Sequence, residues 1–195
     1  MDLTLWRDAE HLVEERLKSE SLFRGKLLDV YIDTVQLPDG NRATREWIRH
    51  PGACAVVPVF RDGTIMLVKQ YRYPVGQIFY EVPAGKIDAG EPPEQTASRE
   101  TGEETGLRAG SISYIGHFYP VIGYSDEVIH IYAAWDLQTC TTDVEADEFL
   151  IPQRVPFATA LEMVATGEIT DAKTICSLVR TRMWWESHAP FAVDF

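Results

Sequence analysis

Apolar and polar residues change their spacing several times along this chain, and each change marks an element. Leu5, Ala9, Leu12, Val13 and Leu17 recur three to four residues apart among charges, which predicts an amphipathic packing helix over Thr4–Lys18. Leu28 to Val35 then partly alternates, Pro38-Asp39-Gly40-Asn41 carries turn chemistry, and Thr44 to Arg49 returns, a two-strand signal. Ala53–Phe60, Thr64–Lys69 and Ile78–Val82 read as strands, with Arg61-Asp62-Gly63 turning between the first two. Ser111–Phe118 and Val128–Trp135 add two more. Helical spacing occupies Pro93–Thr105, Phe157–Thr166 and Asp171–Glu186; Gly167 is placed to end the second, and Thr170 to cap the third. The order is a helix, many strands, an embedded helix, strands, then two helices. That predicts an α+β chain, or a mixed α/β/α sandwich, and not alternating βαβ units.

Composition narrows the function classes. With 195 residues, 45% hydrophobic and 25% charged, the chain suits one ordinary soluble domain with a small extra element at an end. Its net charge of −12 argues against nucleic acid or an anionic membrane surface as partner, since both require a cationic footprint. An anionic substrate would need local neutralisation, for which a divalent cation is the usual device. Cys54, Cys140 and Cys176 are far apart and lack metal-ligand spacing, so they read as buried or incidental thiols in a reducing compartment. The first sixteen residues carry acids and no apolar core of a signal peptide. The longest apolar run, Ala53–Phe60, is strand-length and far short of the roughly 20 residues of a membrane helix. A cytoplasmic location is the expectation.

The chemistry is concentrated between Gly85 and Leu107. On a helix over Pro93–Thr105, Glu100 and Glu104 are i,i+4 neighbours, and Glu103 is i+3 from Glu100. Like charges at such spacing repel by roughly 0.2–0.5 kcal/mol per pair, so the cluster makes sense around a hard cation. Arg99 is placed to hold a carboxylate bidentately, and Gly85 and Gly106 permit close backbone approach and positive φ at the two ends. A solvated acidic helix face is the alternative, but it leaves the two glycines and the arginine without a role.

The segment resembles the Nudix box, G-x5-E-x7-R-E-U-x-E-E-x-G-U, where U is bulky and apolar. Gly85, Glu91, Arg99, Glu100, Glu103, Glu104 and Gly106 match all seven fixed letters, and Leu107 the final U; Thr101 departs from the first U. A chance match in a chain of this length is on the order of one in a million. The resemblance implies a Nudix-type α/β/α sandwich with a mixed central sheet, preceded by an N-terminal helix and strand extension. It implies Mg²⁺, or Mn²⁺, held by Glu100, Glu103, Glu104 and the carbonyl of Ala84, with Glu91 and Arg99 as a supporting pair. The reaction implied is attack of water on phosphorus.

Flanking residues narrow the resemblance. Lys69-Gln-Tyr-Arg72-Tyr-Pro74, Phe79-Tyr-Glu81-Val-Pro-Ala84, Phe118-Tyr-Pro120 to Glu127 and Gly167-Glu-Ile-Thr-Asp171-Ala-Lys-Thr174 resemble ADP-ribose pyrophosphatases and related nucleotide-sugar hydrolases. Val121-Ile122-Gly123 stands where the family often has Ser-Pro-Gly. The resemblance implies that Arg72 meets the diphosphate, because a guanidinium fork matches phosphate oxygens, and that Trp47 stacks the base. Glu81 reads as a structural acid. Glu127 is the first candidate for the general base and Glu148 the second. The implied substrate is ADP-ribose, with GDP-mannose and other nucleoside diphosphate sugars as runners-up; a non-catalytic binding module is a third reading, and triphosphates or dinucleoside polyphosphates a further one. Similar enzymes are often homodimers joined through N-terminal strands. Residues 1–50 are accordingly read as an extension and candidate dimerisation element, and 51–195 as the hydrolase domain.

Overall fold

The computed structural model describes residues 9–141 and 149–193 of the chain. They form two compact units: one comprises the residues up to His50 with Val121–Glu127, the other Pro51–Pro120 and Val128 onward.

The first unit is a three-stranded antiparallel meander, β1 (Glu15–Arg24), β2 (Asp29–Gln36) and β3 (Arg42–Arg49), paired in the order β1-β2-β3. The turn predicted at Pro38–Asn41 joins β2 to β3, with Gly40 at φ 86° and the Leu37 N–H donating to the Asn41 carbonyl at 2.8 Å. The helix expected over Thr4–Lys18 is not formed by its described residues: Glu10–Leu12 make one 3-10 turn, and Glu15 to Lys18 already belong to β1. Every residue of β1 is exposed, Leu17, Leu22 and Phe23 included, so no buried stripe rewards a helix here. Pairing with β2 satisfies the backbone instead. Residues 4–8 lie outside the described residues.

The second unit holds two sheets. The first has the order β7-β4-β10-β9, from β4 (Ala53–Pro58), β7 (Ala84–Lys86), β9 (Ser111–Phe118) and β10 (Ile129–Trp135). It is mixed, since β4 and β10 run parallel and the other pairs antiparallel. The second sheet has the order β12-β5-β6, from β5 (Thr64–Arg72), β6 (Gln77–Glu81) and β12 (Leu150–Pro156). A two-residue pairing joins β8 (Leu107–Arg108) to β11 (Gln138–Thr139). The helices are α1 (Pro93–Thr105), α2 (Phe157–Thr166) and α3 (Ala172–His188).

All six residues of β4 are buried, because both of its faces are covered. Cys54 and Val56 pack with Ala97 of α1, Tyr132 and Ala134. Ala53, Ala55 and Val57, on the opposite face, join Ile65, Leu67, Phe157, Met163, Leu178 and Trp185 in the larger core. Each large aliphatic side chain fully buried there contributes roughly 1.5–3 kcal/mol. This period of two sets α1 on one side of the central strand and α2 and α3 on the other, the layering expected from the sequence.

Gly167 ends α2 in the left-handed region (φ 79°), as expected. The cap of α3 is Asp171 and not Thr170: its carboxylate accepts from the Thr174 N–H at 3.0 Å and from the Thr174 hydroxyl at 2.6 Å. A charged acceptor one residue further on is the stronger cap. The same hydroxyl accepts the Val82 N–H at 2.9 Å, so α3 is tied to the chain immediately before β7. Thr174 is fully buried. Thr174→Val keeps the shape but strands the Val82 N–H, and is expected to lower stability by about 1–3 kcal/mol. Urea unfolding should show a lower midpoint at unchanged slope.

Candidate active site

The site is built where β7 passes beneath α1. Helix α1 opens on Pro92 and Pro93, whose missing N–H groups cost nothing in a first turn, and closes on Gly106 at φ 67°, whose N–H donates to the Gly102 carbonyl at 2.9 Å. Its inner face carries Thr96, Ala97, Glu100, Thr101, Glu104 and Thr105. Glu100 and Glu104 are therefore buried, at 8% and 4% exposure, as i,i+4 neighbours facing the sheet. A Cβ on Gly85 would fall inside the Glu100 carboxylate, so only glycine fits that position of β7. One residue earlier, the Ala84 N–H donates to Glu104 Oε2 at 3.0 Å. Thr101, where the box favours an aliphatic residue, is fully buried and donates its hydroxyl to the Ala97 carbonyl at 2.7 Å. That intrahelical bond lets a polar side chain occupy an apolar position.

Arg99 joins the loop to the helix. Its Nε and Nη2 donate to the two oxygens of Glu91, each at 3.2 Å, and Nη2 reaches the Lys86 carbonyl at 3.4 Å. Its Nη1 lies 2.8 Å from both Glu100 Oε1 and Glu103 Oε2. Glu91 also accepts from the Thr96 hydroxyl at 2.7 Å. The hydrogen bonds to Glu91 are the largest influence raising the arginine pKa, and those from Arg99 the largest lowering that of Glu91. The supporting pair expected from the sequence is thus present, and Arg99 additionally offsets the repulsion between Glu100 and Glu103.

Glu100, Glu103, Glu104 and the Ala84 carbonyl offer oxygen donors only, the donor chemistry of a hard divalent cation. Among the described residues, no three His, Cys, Asp or Glu side chains are disposed as a ready-made metal cage. Arg99 draws Glu100 and Glu103 to itself, and Glu104 is turned to Ala84. The donor chemistry and the cradle that Gly85 leaves for Glu100 fit such an ion, which keeps waters in its shell and does not require a closed protein cage. Cys54 is buried, with its thiol directed at the Pro93 carbonyl 3.0 Å away, and burial first, then Glu100, push its pKa up to about 12. It is a structural thiol, as expected.

Arg72, at the end of β5, is engaged through one edge: Nε donates to Glu81 Oε1 at 2.7 Å and Nη2 to Glu81 Oε2 at 2.6 Å. Glu81 is 2% exposed and also accepts from Lys173 Nζ, which donates in turn to Asp171 at 2.9 Å. Burial pushes the Glu81 carboxyl up, but Arg72 and Lys173 together outweigh it and its pKa is lowered. Glu81 is the structural acid that the sequence suggested. Lys173 was not singled out there; the signal was its place two residues after Asp171 in the Gly167–Thr174 stretch.

Trp47 and Glu127 belong to the first unit. Trp47 stacks on Tyr31 with ring centroids 5.2 Å apart and 24° between planes, and the Arg49 guanidinium lies 5.0 Å from the centre of Tyr31. Glu127 is half-buried; its N–H donates to Ser125 Oγ at 3.2 Å, and its carboxylate lies 3.8 Å from His50 Nδ1. Glu148 lies outside the described residues. No helix among the described residues is long and apolar enough to cross a membrane.

The Nudix domain model matches residues 49–178, and the model of the nucleoside diphosphate sugar hydrolase N-terminal domain matches residues 14–48. An ADP-ribose pyrophosphatase of Bacillus subtilis (strain 168) is 41% identical, over 84% of this chain and 89% of its own length. Another, of Mycobacterium tuberculosis, is 36% identical over 88% and 84%. A GDP-mannose pyrophosphatase of Yersinia enterocolitica is 32% identical over 84% and 92%. The crystal structure of an ADP compounds hydrolase superposes with a TM-score of 0.80 at 23% identity, covering 90% of this chain and 96% of that one, which shows the shared fold. With the family model matched over residues 49–178 and the box complete, Glu100 and Glu104 buried on α1, the chain belongs to the Nudix hydrolase family.

Proposed function

We propose that this protein hydrolyses the diphosphate bridge of ADP-ribose, giving AMP and ribose 5-phosphate, with Mg²⁺ or Mn²⁺ as cofactor. The observation that carries the reading is the intact box: Glu100 and Glu104 buried together over Gly85, with Arg99 spanning Glu91, Glu100 and Glu103. The relatives named ADP-ribose pyrophosphatase, similar over most of the chain, support the substrate. The GDP-mannose pyrophosphatases, at 32–33% identity, support a second reading in which the sugar or base differs and the chemistry does not. A binding module without catalysis is disfavoured, because every box glutamate is retained.

In this reading Glu100, Glu103, Glu104 and the Ala84 carbonyl hold the ion, which when bound supplies Lewis acidity and neutralises phosphate charge. Arg72 meets the diphosphate with the guanidinium edge that Glu81 leaves uncovered. Trp47 offers a face for the base. Glu127 takes the proton of the attacking water as its oxygen bonds to phosphorus and the bridging P–O bond breaks; Glu148 is the second candidate for that role. The fully exposed β1, with Leu17, Leu22 and Phe23 uncovered, is the element proposed to pair with a second copy in a homodimer, and the setting proposed is the cytoplasm.

The direct test is turnover of ADP-ribose, ADP-glucose, GDP-mannose and common triphosphates with Mg²⁺, products being followed by chromatography. AMP from ADP-ribose at the highest kcat/KM is the expected result; a preference for GDP-mannose moves the substrate, and a folded protein inert on all of them removes the catalytic reading. Glu104→Gln should cost more than about a hundredfold in activity, with circular dichroism unchanged. Glu127→Gln should lower kcat by about 10²–10⁴-fold with little change in KM. If Glu148→Gln produces that pattern and Glu127→Gln does not, the base is Glu148.

A further inference from the structure

The ion network at the ends of β5 and β6 is outside the box, and its parts come from distant points of the chain: Arg72, Glu81, Asp171 and Lys173. Glu81 lies 92 residues before Lys173. Among the described residues, the Arg72 guanidinium donates to Glu81 from its Nε–Nη2 edge. That leaves the Nη1 edge to meet a ligand, at a fixed angle. The angle is only as fixed as Glu81, and Glu81 has Lys173 as its second partner.

We infer that Lys173 is a positioning residue for the substrate diphosphate, acting through Glu81 to hold the free edge of Arg72 in place. The inference rests on the proposed role of Arg72 in a diphosphate hydrolase. Two physical effects support it. The first is geometric. Lys173 sits in the first turn of α3, anchored by Asp171, the cap of that helix, so the carboxylate that grips Arg72 is itself held by a rigid element. The second is electrostatic. Arg72, Lys173, Glu81 and Asp171 sum to zero charge. Removing Lys173 leaves a net negative charge beside the group that must receive an anion, in a protein whose net charge is already −12. Lys173 lies outside the box and is bonded to Glu81 and Asp171, so its loss should weaken binding more than chemistry.

The test compares the full-length wild type with Lys173→Met, Lys173→Arg and Arg72→Lys, each shown to unfold cooperatively. Should Lys173→Met not fold, Lys173→Gln carries the same comparison. Steady-state kinetics on ADP-ribose are read together with the Arg72 Nε–H resonance in a ¹⁵N spectrum, assigned by its disappearance in Arg72→Lys. The expected result for Lys173→Met is KM raised about tenfold, kcat changed much less, and an Arg72 Nε–H signal broadened or in fast exchange with water. Lys173→Arg should restore both. Wild-type KM, or an undisturbed Arg72 signal, in Lys173→Met overturns the inference. If Arg72→Lys leaves KM unchanged, the role assigned to Arg72 fails and the inference with it. If the wild type does not turn over ADP-ribose, the proposed substrate is wrong and the resonance decides alone: its loss in Lys173→Met supports the positioning link, and its retention overturns it.

Discussion

A chain with a net charge of −12 nevertheless collects four glutamates, Glu91, Glu100, Glu103 and Glu104, around one short stretch of backbone, and two of them are buried. Buried carboxylates are costly unless paired and hydrogen-bonded. Arg99 makes the arrangement tenable. One guanidinium reaches three of the four carboxylates, so the loop that carries Glu91 and the helix that carries the others are held by the same group. The fourth, Glu104, is satisfied at least in part by the Ala84 N–H. The position of α1 over β7 follows from these contacts, and everything proposed about the chemistry depends on that position.

The backbone adapts to this cluster as much as the side chains do. Gly85 is required because the Glu100 carboxylate occupies the volume a Cβ would fill. The segment leading into Gly85 is held from the other side, where the Val82 N–H is bonded to Thr174 of α3 and the carboxylate of Glu81 is bonded to Lys173. The strand that carries the glycine is thus fixed by α1 at one end and approached by α3 at the other. Polar contacts set the register of the site on a sheet whose interior is otherwise mainly hydrophobic.

The box was legible because its chemistry is local. Seven residues within twenty-two positions must meet, and a helix brings i and i+4 together whatever the rest of the chain does. The layers were legible from the change between helical and alternating spacing. What was hidden is non-local or marginal. Nothing near Glu81 announces Lys173, because only the fold brings them into contact. Strand β12 contains Pro152 and Pro156, residues that argue against a strand; it is tolerated because β12 lies at the edge of its sheet, paired with β5 alone. The N-terminal spacing of Leu12, Val13 and Leu17 suggested a helix, yet those residues are exposed, and a period with no surface to bury against carries little weight. The cap of α3 was misplaced by one residue because Thr170 and Asp171 are both competent, and only Asp171 has its carboxylate on the first-turn N–H.

The inner face of α1 has a consequence for durability. Of its six buried residues only Ala97 is hydrophobic; the rest are threonines and glutamates. The helix that carries the box therefore relies on polar contacts from Arg99 and Glu104 beside the packing of Ala97, while the sheets beneath it are held by Ile65, Leu67, Ile131, Phe157 and their neighbours. Forces of these two kinds respond differently to acid, salt and heat. Competence for chemistry and integrity of the core are consequently separable, and conditions that protonate or screen the carboxylates act on the first before the second.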